Sequence, residues 1–253
     1  MSTITGAILA GGLGTRLRSV VSDRPKVLAL VRGKPFLAYL LDQLGQADIR
    51  RVVLLTGYKG EQIEKTFGSR YGNIDLEYSA ETEPLGTAGA LRLALPKLFA
   101  NATAAGTVLM LNGDSFCAAD LTGLREFHTN PKRQRGGISS VTENKGASIV
   151  LTHVPDTSRF GKVEVTADDR VERFVEKQAA GGAGWINAGI YLIPQQFVEQ
   201  IPTGRAVSIE REMFPAWSQA GNLRGFQGQG EFLDIGTPES YRAAEEFFGR
   251  RAA

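Results

Sequence analysis

Cysteine and histidine are scarce in this chain of 253 residues. It contains one cysteine, Cys117, and two histidines, His128 and His153. A single cysteine excludes an intrachain disulfide, which fits a reducing compartment. Neither histidine lies in a catalytic motif, so we expect both at the surface or at helix ends. We expect Cys117 to be a small buried residue rather than a nucleophile.

An excess of charge and long apolar runs are also missing. The net charge is +2, with 29 basic and 27 acidic residues, so no global basic field attracts nucleic acid or an anionic membrane. No apolar run approaches the roughly 18 residues that a membrane-spanning helix needs. The opening MSTITGAILAGG lacks the charged and apolar regions of a signal peptide. We therefore expect a soluble cytoplasmic protein that binds anions only locally.

The first half of the chain alternates short apolar runs with helical patterns. Strands joined by helices pair in parallel through right-handed crossovers. The pattern predicts a Rossmann-like α/β fold, a mixed and mainly parallel sheet with helices on both faces. Predicted strands cover residues 5–10, 51–57, 73–81 and 107–114, and predicted helices cover residues 35–47, 59–67 and 86–99.

The second half predicts a smaller antiparallel part built onto this sheet. No linker or internal repeat separates the two halves, so we expect a single domain over residues 1–253. The predicted elements are two strands around a polar turn in 161–177, a strand at 185–194 with a helix after it, a helix at 208–221, a hairpin at 223–236 and a final helix at 238–252.

The segment 130–146, NPKRQRGGISSVTENKG, departs from this pattern. It combines proline, glycine, serine and asparagine with basic residues, which is typical of a solvated surface insertion. A patch for nucleic acid or lipid is the alternative interpretation. The segment lacks the aromatic side chains on which bases stack, which favours the surface insertion.

The stretch ITGAILAGGLGTRLRSVVSDRPK, residues 4–26, holds the strongest functional signal. A glycine-rich turn after a first strand lets backbone N–H groups wrap an anion. The dinucleotide fingerprint requires glycine where Leu17 stands, and GKP at 33–35 lacks the serine or threonine of a P-loop. Arg16 and Lys26 supply the positive charge that a cleaved polyphosphate requires. A turn with only a structural role would not need these two cations.

This stretch resembles the signature of the sugar-1-phosphate nucleotidylyltransferases, G-G-x-G-T-R followed by a variable spacer and P-K. The similarity continues in order to FLDIGTPESY, residues 232–241, and so covers nearly the whole chain. It implies the nucleotide-diphospho-sugar transferase fold. It also implies a mainly nucleotide-binding half at 1–115 and a mainly sugar-phosphate-binding half at 116–253. The fixed signature positions are Gly11, Gly12, Gly14, Thr15, Arg16, Pro25 and Lys26.

The resemblance also implies the nucleotide-binding residues. PLGTAGAL, residues 84–91, is similar to the second nucleotide-binding segment of the family, although a helix start packed on the sheet would look alike. Thymidylyl-type members carry glutamine where Gly89 stands, so the form here favours GTP. The implied catalytic residues are Arg16, Lys26 and Asp114. The implied nucleotide-binding residues are Leu9, Ala10, Gly11, Gly12, Gly14, Thr15, Gly86, Thr87 and Gly89.

Two aspartates are candidate Mg²⁺ ligands. Asp114 in LNGDS follows a buried strand, and ligands of parallel sheets gather at the carboxyl ends of strands. Asp234 in FLDIGTPESY matches the second metal-binding aspartate of the family. Gly-Asp after a strand is often only a turn, and Thr237 with Pro238 indicates a helix start. The helix cap would leave Asp234 free, so both interpretations of that segment can hold.

The implied sugar-phosphate site uses two further segments. FVEK, residues 174–177, is similar to the family's F-x-E-K-P, in which the glutamate contacts the sugar and the lysine its phosphate. These roles fall to Glu176 and Lys177, although Gln178 replaces the usual proline, and a solvated strand end is the alternative. NAGIY, residues 187–191, is similar to the sugar-pocket strand. It places Asn187 and Gly189 near the ligand, or else forms a core strand with a bulge.

The implied reaction is Mg²⁺-dependent transfer of a nucleotidyl group from an NTP to a sugar 1-phosphate. Within the family, the segments are most similar to the branch that joins GMP to a heptose 1-phosphate. Transfer to mannose 1-phosphate and a uridylyl, cytidylyl or thymidylyl activity remain alternatives, and a homo-oligomer is possible. A regulatory homologue that binds without turnover would lack Arg16, Lys26, Asp114 or Asp234, and all four are present. An NAD-dependent oxidoreductase is disfavoured by Leu17.

Overall fold

The computed structural model describes residues 4–12, 14–17, 19–100, 106–130, 146–175 and 181–251. The strands of this part of the chain are β1 Thr5–Leu9, β2 Leu30–Val31, β3 Lys34–Pro35, β4 Arg51–Thr56, β5 Arg70–Tyr71, β6 Ile74–Ala80, β7 Thr107–Asn112, β8 Ser115–Cys117, β9 Ala147–Val154, β10 Lys162–Val165, β11 Val171–Val175, β12 Gly184–Pro194, β13 Leu223–Gly228 and β14 Phe232–Asp234. The α-helices are α1 Phe36–Gln46, α2 Gly60–Phe67, α3 Gly86–Leu93, α4 Leu95–Leu98, α5 Leu121–Thr129, α6 Gln195–Glu199, α7 Phe214–Gln219 and α8 Pro238–Arg251.

Eight strands form one sheet in the order β13-β9-β12-β7-β1-β4-β6-β5. Strands β7, β1, β4 and β6 pair in parallel, because each connection returns through helical segments. Strand β12 is antiparallel to both β7 and β9, and β13 is parallel to β9. The Rossmann-like, mainly parallel mixed sheet is therefore confirmed. The two halves of the chain share this sheet, while the division into a nucleotide half and a sugar half stays a prediction.

Apolar side chains cover both faces of the sheet. Successive residues of a strand point to opposite faces, so Ala7 and Ile8 of β1 enter different clusters of buried side chains. On one face, α1 contributes Phe36 and α8 contributes Phe247. The other face is covered by helices including α3, α6 and α7. This explains why the central strands consist of nearly continuous apolar runs, as expected for strands buried on both faces.

The predicted hairpin at 223–236 is wrong. Strand β13 pairs in parallel with β9, and β14 pairs antiparallel with β8 in a separate small sheet. The glycine-containing stretch between β13 and β14 resembles a hairpin turn in sequence. The two strands instead find partners that are distant in the chain, because each buries apolar residues against its own cluster.

Two predicted helices are interrupted. The helix predicted over 86–99 divides into α3 and α4, and Pro96 lies in the first turn of α4. The helix predicted over 208–221 consists of a π-helical turn, Ile209–Met213, followed by α7. Single π-helical turns occur frequently at functional sites.

The positions of Cys117 and His128 agree in part with the predictions. Cys117 is buried in β8, and burial raises the pKa of its thiol to about 12. His128 lies at the end of α5 but is buried, with Nδ1 2.9 Å from Ser148 Oγ, so only its helix-end position agrees with expectation. Among the described residues, no helix is long and apolar enough to cross a membrane. Residues 131–145 of the basic segment lie outside the described residues, so its role as an insertion stays a prediction.

Candidate active site

A cleft opens at the carboxyl ends of β1, β4, β6 and β7. It encloses a cavity of about 650 Å³. In open α/β sheets, ligands bind in a crevice at the carboxyl ends of the strands. Predicted site residues in the cavity wall are Leu9, Gly11, Gly12, Gly14, Thr15, Arg16, Lys26, Gly86, Thr87 and Asp114.

The glycine-rich turn after β1 forms one wall of the cleft. The backbone N–H of Ala10 donates to the Leu55 carbonyl at 2.8 Å, which fixes the start of the turn against β4. Ala10 itself is buried and lies behind the cavity wall. Residues Thr15–Leu17 form a short helical turn that directs Leu17 into the core. The leucine that excludes the dinucleotide fingerprint therefore anchors the loop that carries Arg16.

Lys26 and Asp114 form an ion pair in the cleft. Lys26 Nζ lies 2.9 Å from Asp114 Oδ2, and the lysine side chain is 11% exposed whereas the aspartate side chain is 49% exposed. Asp114 follows β7, next to β1 in the sheet, so the two functional segments meet where adjacent parallel strands end. The lysine is thus held in place while a face of the carboxylate stays open to a ligand.

Asp234 lies beside Asp114 because β14 pairs with β8. The Ile235 N–H donates to the Asp114 carbonyl at 2.9 Å. The Asp234 carboxylate accepts from the Gly236 N–H at 2.8 Å and pairs with Arg159, whose Nη2 lies 3.0 Å from Oδ2. Thr237 Oγ1 accepts from the Ser240 N–H at the start of α8, and the Ser240 hydroxyl donates to Asp234 Oδ1 at 3.2 Å. Thr237 caps the helix as predicted, but Asp234 is tied to its first turn rather than left free, and its role as a metal ligand stays a prediction.

The donor set of the two aspartates suits Mg²⁺. The described residues contain no group of three or more histidine, cysteine, aspartate or glutamate side chains that could enclose a metal. Mg²⁺ is usually held by one or two carboxylates together with substrate phosphates, so Asp114 and Asp234 fit it without further protein ligands. Lys26 and Arg159 are the cations that neutralise these carboxylates in the structure.

The second predicted nucleotide segment forms the opposite wall. Gly86 has φ +73°, and a Cβ atom there would lie 2.5 Å from the Val207 carbonyl oxygen, so only glycine fits. Thr87 Oγ1 donates to Glu210 Oε2 at 2.9 Å and accepts from the Ile209 N–H at 2.8 Å. These bonds tie the start of α3 to the π-helical turn and place Glu210 in the cavity wall.

Gly89 is not in the cavity wall. It lies buried in α3, where a Cβ atom would meet Leu85 Cβ at 2.9 Å, and its N–H donates to the Val207 carbonyl at 3.3 Å. Its small size therefore allows close packing of the helix start. A direct contact with the nucleotide stays a prediction.

Two of the predicted sugar-side residues, Asn187 and Gly189, lie one layer behind the cavity. Asn187 Oδ1 accepts from the Gly189 N–H at 2.8 Å, and Asn187 Nδ2 donates to the buried Tyr191 hydroxyl at 2.9 Å. Gly189 has φ +75° at an irregularity between β12 and β9, which agrees with the expected bulge. A Cβ atom at Gly189 would lie 3.0 Å from Cβ of Asn112, a residue of the cavity wall. Glu176 and Lys177 lie outside the described residues.

Sequence reasoning missed three polar residues of this region. Glu81 and Glu210 line the cavity, and Arg159 pairs with Asp234. Glu81 directly follows β6, so the strand-end argument that identified Asp114 would also have found it. Glu210 reaches the cavity, and Arg159 reaches Asp234, only through tertiary packing, for which the sequence carries no local pattern.

Known proteins resemble this chain in both sequence and fold. A family model described as nucleotidyl transferase matches residues 5–251. The chain is 37% identical over 239 residues to the D-glycero-alpha-D-manno-heptose 1-phosphate guanylyltransferase of Aneurinibacillus thermoaerophilus, a match that covers 94% of this chain and 96% of that protein. It is 36% identical over 241 residues to the mannose-1-phosphate guanylyltransferase of Mycobacterium tuberculosis, and here the match covers 94% of this chain and 62% of that protein.

The similarity extends to solved structures. The crystal structure of HddC from Yersinia pseudotuberculosis superposes with a TM-score of 0.80 at 32% sequence identity, covering 97% of this chain and 99% of that one. The same protein complexed with GMP-PN gives a TM-score of 0.79. The likeness in fold thus extends over nearly the whole of both chains.

Proposed function

Because this chain belongs to the nucleotidyl transferase family, we propose that it transfers a guanylyl group from GTP to a sugar 1-phosphate and releases pyrophosphate. One observation carries the proposal. The glycine-rich turn with Arg16, the Lys26–Asp114 pair and the Gly86–Thr87 segment surround a single cavity. A nucleoside triphosphate needs these three elements together, namely backbone donors, fixed cations and a close-packed wall for the base and ribose.

The chemistry requires positioning more than a strong base. An oxygen of the sugar 1-phosphate attacks the α-phosphorus of GTP in line, and the bond from that phosphorus to the bridging oxygen of pyrophosphate breaks. The attacking phosphate is already ionised, so no side chain has to remove a proton. Arg16 and Lys26 are proposed to hold the triphosphate and to stabilise the negative charge that develops on the leaving pyrophosphate.

Asp114 and Asp234 are the proposed holders of Mg²⁺. The ion would supply charge neutralisation at the transferred phosphate. Lys26 would have to release Asp114, and Arg159 would have to release Asp234, when a nucleotide brings the ion into the cleft. Lys26 and Arg159 would then form ion pairs with the phosphates of the substrate, which would replace their ion pairs with the two aspartates.

The sugar phosphate is proposed to enter from the side of β12. Asn187 and Gly189 shape the backbone next to Asn112, and the family resemblance assigns the sugar to Glu176 and its phosphate to Lys177. The Aneurinibacillus relative is named for a heptose 1-phosphate and the Mycobacterium relative for mannose 1-phosphate. We favour a heptose 1-phosphate, with mannose 1-phosphate as the alternative. A cytoplasmic location is proposed with it, because that compartment supplies nucleoside triphosphates.

Pyrophosphate release across four NTPs and a panel of sugar 1-phosphates tests the proposal. We expect turnover that depends on Mg²⁺, with GTP as the best nucleotide and a heptose 1-phosphate as the best acceptor. A better acceptor in mannose 1-phosphate would change the sugar assignment. Turnover of no pair at all would refute the enzymatic function, and a large preference for UTP or CTP would refute guanylyl transfer.

Substitution of Asp114 tests the site itself. We expect Asp114→Ala to abolish Mg²⁺-dependent turnover while the far-ultraviolet circular dichroism stays that of the wild type. The matched control is Asp75→Ala, which removes an exposed carboxylate on β6 whose ion pair with Arg70 spans 3.6 Å. Wild-type activity in Asp114→Ala would remove this residue from the proposed site.

A further inference from the structure

We propose that Lys59 is a positioning residue that holds the glycine-rich loop closed before a nucleotide arrives, so that Arg16 and Lys26 are already in place. This inference rests on the nucleotide binding proposed above and deepens it. Lys59 lies between β4 and α2, whereas the glycine-rich loop lies between β1 and β2. The contact between these two segments therefore exists only in the folded chain.

The glycine-rich loop is anchored in the core at both ends and exposed between them. Leu17 is buried at one end and Val27 at the other. The two ends approach each other, because a Cβ atom at Gly14 would lie 3.2 Å from Lys26 Cβ. Most residues of the intervening segment 19–24 are exposed. The conformation of this segment therefore depends on contacts from elsewhere in the chain.

Lys59 supplies the main contacts of this kind. Its Nζ donates to the Ser22 carbonyl at 3.2 Å and to the Asp23 carbonyl at 3.0 Å. The Gln62 side chain adds a longer hydrogen bond of 3.5 Å to the same Asp23 carbonyl. Among the described residues, these two are the side chains outside segment 19–24 that hydrogen-bond to it. Hydrogen bonds from an ammonium group are stronger than those from a neutral amide, so Lys59 contributes most.

The backbone of Lys59 supports a specific role for its side chain. Lys59 has φ +55° and ψ +33°, in the left-handed region, immediately before α2 begins. Glycine, asparagine and aspartate adopt this conformation more readily than lysine does. The Lys59 side chain forms no capping hydrogen bond to α2. The bonds of its ammonium group to the loop therefore explain why a lysine occupies this unfavourable position.

Lys59 lies beside the cleft but is not part of the described cavity wall. Gly57 and Tyr58, the two residues before it, line the cavity. Lys59 Nζ lies 5.3 Å from the centroid of the Tyr58 ring. Lys59 thus links the turn after β4 to the loop after β1, two segments that both line the cavity. It acts through the loop and not by contact with the nucleotide.

A loop that is closed in the empty enzyme makes nucleotide binding more favourable. When only the closed loop binds GTP, the apparent Kd is inversely proportional to the closed fraction. Arg16 and Lys26 lie on this loop, so their alignment with the phosphates depends on closure. Once GTP is bound, its phosphates hold both cations in place. We therefore expect Lys59 to affect the binding of GTP and to leave kcat unchanged.

Lys59→Met tests this expectation, because it removes the ammonium group and keeps a long side chain. We expect the Kd for GTP, measured by calorimetry without sugar phosphate, and the KM for GTP to rise about threefold while kcat stays that of the wild type. Cleavage of the Ser22–Asp23 bond by endoproteinase Asp-N reports the open loop, and its rate should also rise about threefold. The product of the rise in Kd and the rise in cleavage rate equals the change in the closing equilibrium. We expect a product of about tenfold for the loss of these hydrogen bonds.

Two further variants provide the controls. Lys59→Arg keeps the charge and the donors, so it should restore both the Kd and the cleavage rate towards wild-type values. Lys65→Met makes the same change at an exposed lysine of α2 and should alter neither. Addition of GTP should slow the cleavage of the wild type and of Lys59→Met, because the bound nucleotide favours the closed loop.

The outcomes separate this inference from the proposed function. Faster cleavage of Lys59→Met with an unchanged Kd overturns the inference, because Lys59 would hold the loop without preparing the nucleotide site. A higher Kd with unchanged cleavage also overturns it, since Lys59 would then act through its charge or by contact with GTP. A lower kcat with an unchanged KM, or equal effects in Lys65→Met, overturns it as well. A wild type that binds no nucleoside triphosphate refutes the proposed function, and the role of Lys59 in nucleotide binding with it.

Discussion

The two ends of the cleft differ in whether their carboxylates are paired with cations. The phosphate end, near the carboxyl ends of β1 and β7, is where Lys26 pairs with Asp114 at 2.9 Å and Arg159 pairs with Asp234 at 3.0 Å. At the other end, Glu81 has a backbone donor but no cation among the described residues. The carboxylates at the phosphate end are thus neutralised by cations in the structure, whereas that of Glu81 is not.

This difference predicts different consequences of mutation. Removing one member of a pair leaves the other charge without compensation and also removes a group proposed to contact the phosphates. Neutralising Glu81 removes the free-energy cost of a partly desolvated negative charge. We therefore expect phosphate-end variants to lose rate and stability, and variants that neutralise Glu81 to gain stability.

The largest effect is expected for Lys26→Met. The side chain of Lys26 is 11% exposed, so its charge acts through little water. We expect kcat to fall about 1000-fold or more, because a fixed donor to the transition state is lost. Rapid-quench turnover with saturating GTP measures it. Lys65→Met, at an exposed lysine of α2, should keep wild-type kcat. A fall below tenfold would contradict a role for Lys26 in stabilising the leaving pyrophosphate.

The next effect concerns Gly113, which lies between Val27 and the end of β1. A Cβ atom there would lie 2.0 Å from the Leu9 carbonyl oxygen and 3.0 Å from Val27 Cγ1. Gly113→Ala must shift the backbone that holds the phosphate end, so we expect a loss of about 3 kcal/mol or more in the free energy of unfolding. Chemical denaturation with urea measures it.

Gly12→Ala is the informative counterpart. A Cβ atom at Gly12 meets nothing within 4 Å, although Gly12 lines the cavity. We expect wild-type stability but a higher KM for GTP, because the methyl group enters the space proposed for the ligand. An unchanged KM would place the nucleotide away from this turn.

The phosphate end was far more accessible to sequence reasoning than the other end. Arg16, Lys26 and Asp114 stand in local patterns, a strand followed by glycines or by Gly-Asp, and local patterns survive in a single sequence. Arg159 and Glu210 have no such pattern. Glu210 reaches the cleft through the π-helical turn, and Arg159, between β9 and β10, meets Asp234 only in the folded chain. Glu81 lies between these cases, because its position after β6 was visible although its charge did not suggest an anion-binding site.

The fold shows the same difference between features that leave a local sequence pattern and features that do not. The parallel strands were predicted because each is an apolar run followed by a helix, a feature of adjacent residues. The hairpin predicted over 223–236 was wrong because the partners of β13 and β14 lie in β9 and β8, and strand partners distant in the chain leave no local trace. Spacing in the sequence indicates which segments are strands more reliably than it indicates their neighbours.

A smaller effect concerns the stability of Glu81→Gln as a function of pH. Burial raises the folded-state pKa of Glu81 above 4.5, so ionisation opposes folding. The stability that the neutral group contributes is present at low pH and is lost as the pH rises through the folded pKa. At pH 7.5 we expect Glu81→Gln to melt higher than the wild type by up to about 3 °C, and the difference to vanish near pH 4.

Differential scanning calorimetry of the wild type, Glu81→Gln and Glu83→Gln checks this expectation. Glu83 is exposed, so its variant should show no such pH-dependent gain. A lower melting temperature for Glu81→Gln at pH 7.5 would mean that the carboxylate stabilises the empty cleft. In that case the contrast between the two ends would fail.

The smallest effect on stability is expected for Arg159→Gln. The Arg159 side chain is 51% exposed, and exposed ion pairs contribute below about 1 kcal/mol. The variant is informative because Arg159 occupies a carboxylate proposed to bind Mg²⁺. Removing a competing cation about 4 Å away in water should tighten divalent-metal binding about fivefold. Electron paramagnetic resonance titration with Mn²⁺ measures this without turnover.

Arg173→Gln provides the control, since it removes an exposed ion pair with Glu164 of 2.7 Å in the β10–β11 hairpin. Its Mn²⁺ affinity should equal that of the wild type. Weaker binding in Arg159→Gln would mean that the guanidinium supports the metal site through a bound phosphate rather than competing with it. Unchanged binding would mean that Asp234 is not a ligand, and its pair with Arg159 would then serve only to hold the segment between β9 and β10 against β14.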